Sequence, residues 1–89
     1  MDDAASFDAV YHRFSPDQIR EIDVRYLEMP LPMQTILAEL EELPAGHVLY
    51  VHHKRIPVYL LEELAGRAFE VHIHTVDESN VKMMLFKPA

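Results

Sequence analysis

Residues 22–40, IDVRYLEMPLPMQTILAEL, decide the fold of this chain. They read as a short strand, a turn holding two prolines, and an amphipathic helix. Over REIDVR (20–25), Ile22 and Val24 alternate with Glu21, Asp23 and Arg25, the pattern of a strand with one buried face. Pro30 and Pro32 lack amide hydrogens and suit the first turn of a helix, where amides have no intrahelical partner. Beyond them Met33, Ile36, Leu37, Leu40 and Leu43 form a continuous apolar stripe, with Glu39, Glu41 and Glu42 mostly away from it. Pro44-Ala45-Gly46 stops the helix.

Toward the C-terminus, HVLYVHH (47–53) is apolar on both parities, as an interior strand is. Pro57 then leads a second short helix, VYLLEELAG, with Leu60, Leu61 and Leu64 inward and Gly66 at its end. Phe69, Val71 and Ile73 alternate with Glu70, His72 and His74 on a third strand. A polar turn, Asp77-Glu78-Ser79-Asn80, joins it to a last strand over 81–87, making a hairpin. There Val81, Met83 and Leu85 oppose Lys82, Met84 and Phe86. The order β-α-β-α-β-β, with right-handed crossovers, puts both helices on one face of a four-stranded sheet. The fold class is an α+β two-layer sandwich with its other face open.

Residues 1–19 stand apart as an N-terminal arm, and residues 20–89 form the domain. Phe7, Val10, Tyr11 and Phe14 recur at helical spacing, with Ser6 as a candidate cap. Barely two turns long, the arm is either a short helix lying on something or a loose terminus.

Composition narrows the function. Fifteen acidic residues against eight basic give a net charge of −7, which repels a phosphate backbone and argues against nucleic acid. The absence of cysteine removes disulfides, thiol nucleophiles and thiolate metal sites, and fits a reducing cytoplasm. The acidic N-terminus is unlike a signal peptide, and no apolar run approaches the ~18 residues that span a bilayer, so no membrane role is expected. With two glycines there is no phosphate loop, and no HExxH or nucleophile motif is present. An enzymatic role is the weakest of the readings.

Asp23-Val24-Arg25-Tyr26-Leu27-Glu28-Met29-Pro30-Leu31-Pro32, followed by Ile36-Leu37, Leu40, Leu43 and Gly46, resembles the TusA/SirA-like sulfur-carrier superfamily. The resemblance covers roughly residues 20–87 and implies a mixed sheet in the order 1-2-4-3. Those carriers hold a persulfide on a cysteine in a Gly-Leu-x-Cys-Pro-x-Pro turn. Here Met29 stands at the cysteine position and Tyr26 at the glycine. A thioether forms no persulfide. The chain is more similar to cysteine-less bacterial relatives of unknown function, which share the Asp-Val-Arg opening and a His-x-x-x-Pro segment, here His53 to Pro57.

Three groups of residues are candidates for binding. Asp23, Arg25, Met29, Pro30 and His53 converge on the helix-start edge as a small-ligand site; the alternative is that Asp23 and Arg25 only fix the turn. His52, His72 and His74 are the candidate ligands of a transition metal or haem, although in the implied strand order the groups lie about 10 Å apart. Met84 and Phe86, on the open sheet face, are a surface for a protein partner or self-association, unless the N-terminal arm covers them. The leading reading is a non-enzymatic protein-interaction or small-ligand-binding module without a cofactor. A His-based metal or haem binder is the alternative.

Overall fold

In a computed structural model, residues 4–88 are described; residues 1–3 of the expected arm and residue 89 lie outside that range. Helix α1 (Ala4–Tyr11) is followed by a single 3-10 turn at Pro16–Gln18 and strand β1 (Ile19–Asp23). Helix α2 (Leu31–Glu42), β2 (Val48–His53), α3 (Val58–Ala65), β3 (Glu70–Asp77) and β4 (Asn80–Phe86) complete the chain. The sheet order is β1-β2-β4-β3, with β1 and β2 parallel and the other two pairings antiparallel. The mixed four-stranded sheet and its element order are those read from the sequence.

Strand alternation divides the sheet into two apolar faces. Leu49 and Val51 of β2, with Val81, Met83 and Leu85 of β4, meet Ile36 and Leu40 of α2 and Leu60 and Leu64 of α3. Ile36 is fully buried there, a placement that removes an aliphatic side chain from water for about 1.5–3 kcal/mol. Glu39, expected away from the packed stripe, instead reaches β1 and pairs with Arg20. Ser15 rather than Ser6 serves as a cap, in a capping box with Gln18 ahead of β1, while Ser6 lies inside α1.

The second face is not open. Phe7 and Val10 of α1 lie on Val48, Tyr50, Met84 and Phe86, with Tyr11, Phe14 and Ile19 packed around them. Edge-to-face contacts of Phe7 and Tyr11 with Tyr50, and of Phe14 with Phe86, fix this cover. The helix is too short to stand alone and is held by the sheet. Gly46, at φ 82°, makes the tight turn from α2 into β2, in a backbone conformation side chains resist.

Candidate functional site

Because β1 and β2 are parallel neighbours, both crossover helices begin at the same end of the sheet. After β1 the chain passes through a cis Met29–Pro30 peptide into α2; after β2 it passes through Lys54 to Pro57 into α3. Pro30 and Pro57 stand as the cap residues of the two helices. Between these starts lies a pocket of about 280 Å³. Met29 and Met33 form one wall; His53 and the run Arg55 to Leu60 form the other.

His53 is the one buried polar residue among the described side chains, 2% exposed. Its Nδ1 accepts the backbone N–H of Arg55 at 3.3 Å, which leaves the proton of a neutral ring on Nε2. Burial, followed by the charges of Arg55 and Lys54, pushes the imidazole below its ordinary pKa, so the ring is uncharged at pH 7. Lys54 donates to Glu28 at 3.4 Å. Arg55 is exposed, and its guanidinium takes part in no ion pair among the described residues.

Of the expected ligand-binding set, the pocket unites Met29 and His53. Pro30 flanks it as the α2 cap without lining it. Asp23 and Arg25 turn to each other: Arg25 Nε and Nη2 donate to the two carboxylate oxygens at 2.9 and 2.7 Å. The Arg25 amide adds a third bond at 3.0 Å. This is the turn-fixing arrangement that the sequence held open.

Arg55, Ile56, Val58 and Tyr59 were not among the expected site residues. For Val58 and Tyr59 a signal was available in VYLLEELAG: once Leu60 and Leu64 face inward, these two fall on the outer side, where apolar side chains have no packing role.

The histidines form no joint site. His52 pairs with Lys82 across one side of β4 and His74 pairs with it across the other. Two strand steps, about 9.6 Å, and an ammonium therefore separate them. His52 contacts Glu21, His72 stacks on Phe86 and His74 lies against Phe7. Among the described residues no three His, Asp or Glu side chains group as a metal site. Met84 and Phe86 are buried beneath α1, 0% and 3% exposed, and so present no surface to a partner in this conformation.

No helix of the described residues is long and apolar enough to cross a membrane. No curated protein and no solved structure matches the chain. The profile of an uncharacterised conserved protein family, DUF2249, matches residues 21–86, from the middle of β1 to the end of β4. With that match spanning the sheet and both crossover helices, the chain belongs to the DUF2249 family.

Proposed function

We propose that this is a non-enzymatic, cytoplasmic binding module, related to the TusA/SirA-like carriers, whose site is the pocket between the two helix starts. One observation carries the reading. Of the seven large apolar side chains that stay exposed among the described residues, four (Met29, Ile56, Val58 and Tyr59) surround this single pocket. Exposed apolar area gathered around a concavity is the usual mark of a binding site.

The chemistry of the lining supports binding over catalysis. It offers no serine, cysteine or carboxylate, only a neutral imidazole, an arginine and a tyrosine ring. Met29, at the position of the carriers' cysteine, contributes a polarisable apolar contact in place of a persulfide. The shared place in the fold supports descent from a carrier architecture with the chemistry replaced by recognition.

The test is a fragment screen of the whole chain by amide NMR. Fragments that bind are expected to shift amides of residues 29–33 and 53–60. Binding fragments that shift only residues elsewhere, or a library with no hits, would overturn the reading.

A further inference from the structure

Resting on that reading, the pocket's charge names the class of its ligand. The chain carries a net charge of −7, yet the lining includes no Asp or Glu. It does include Arg55, exposed at the pocket and outside every ion pair among the described residues. An unpaired guanidinium beside a mostly apolar cavity is complementary to an anion attached to an apolar group.

We infer that the pocket binds a small molecule bearing a carboxylate on an apolar body. The apolar part lies against Met29, Met33, Ile56 and Leu60, and the carboxylate meets the Arg55 guanidinium. At about 280 Å³ the cavity falls just below the usual range of ~300–1,000 Å³ for drug-sized ligands, so the body is small. A guanidinium fork matches a carboxylate's two oxygens. A phosphate monoester, with a charge of about −1.5 to −2, asks for more cations than the pocket presents, since Lys54 is engaged by Glu28. Two thioethers and an imidazole also suggest a soft metal. His53 argues against it: with Nδ1 accepting the Arg55 amide, the neutral ring carries its proton on Nε2 and has no lone pair to give.

The experiment is an amide NMR titration of the full chain with 3-phenylpropionate and, separately, the neutral 3-phenylpropan-1-ol. The acid is expected to shift residues 29–33 and 53–60 and to bind at least about fivefold more tightly than the alcohol. Arg55→Gln, at an exposed position, should erase that preference, whereas Arg67→Gln, which removes the same charge at the far end of α3, should keep it. Equal binding of acid and alcohol in the pocket would overturn the carboxylate assignment and leave the binding site standing. An unchanged preference in Arg55→Gln would also overturn it. Failure of both compounds, while other fragments fill the pocket, would defeat this inference alone.

Discussion

Asp23 and Arg25 close a bidentate ion pair across two positions of the same chain, at 2.7 and 2.9 Å. The pair sits where β1 gives way to the loop leading to Met29. The Arg25 hydrogen bonds hold the Asp23 carboxyl at a pKa of about 2, well below its ordinary 3.8. Because the folded value is the lower one, the stabilisation is present above about pH 4 and is lost as pH falls toward 2. Both side chains are about two-fifths exposed, so solvent screening limits it to under about 1 kcal/mol. Asp23→Asn should lower the urea midpoint slightly at pH 7, and the two proteins should converge as pH approaches 2. A constant difference across that window would count against the pairing.

His53 acts with the same slope in a higher window. Its folded pKa lies below the ordinary 6.5 through burial. The unfolded chain therefore takes up the proton first, and stability falls as pH drops below about 6.5. Replacing the ring in His53→Leu removes the bond to the Arg55 amide, at a cost of about 1 kcal/mol at pH 7. That cost should shrink at pH 5, where the native imidazole itself opposes folding. Urea titrations of both proteins at the two pH values measure it.

Met84 belongs to a core under α1. Met84→Ala should therefore cost about 2–5 kcal/mol, as a buried aliphatic truncation does. Phe7→Ala, on the other side of the same contact, should cost about 3 kcal/mol. Deleting residues 1–14 uncovers Tyr50, Met84 and Phe86 together. Sedimentation velocity should then show stronger self-association than in the full chain. A monomeric, equally stable truncation would mean that α1 does not cover the sheet.

The histidine row gives a sharper expectation. Zinc should leave the melting temperature of the natural sequence unmoved. Lys82→His fills the gap between His52 and His74 with a third imidazole on adjacent strands. Zinc should then raise the melting temperature by at least about 4 °C. A rise in the natural sequence would show that the row can already coordinate.

The sheet was legible because its strands alternate and its helices carry period-3.6 stripes; Ile36, Leu40, Met83 and Leu85 fell where the pattern put them. The α1 cover was visible only as an unresolved choice. The spacing of Phe7, Val10, Tyr11 and Phe14 states an apolar face without stating what it meets. Two residues of the candidate site were legible from the topology. Met29 and His53 stand at strand and helix ends that the topology brings together. Arg55 and Ile56 were hidden, since loop residues acquire a role only from the shape of the cavity beside them. Asp23 and Arg25, the most site-like pair in the sequence, satisfied each other locally.

The strand order also bears on how the chain emerges from a ribosome. β4, the last of these strands to be translated, is an inner strand, with Met83, Met84 and Leu85 wholly buried. Until it arrives β3 has no neighbour, and one edge of β2 stands unpaired with apolar residues on both of its faces. A nascent chain stalled before residue 80 thus displays an apolar strand edge of the kind that holdase chaperones bind. Completion of the sheet waits on the synthesis of β4, and the hairpin is the step that commits it.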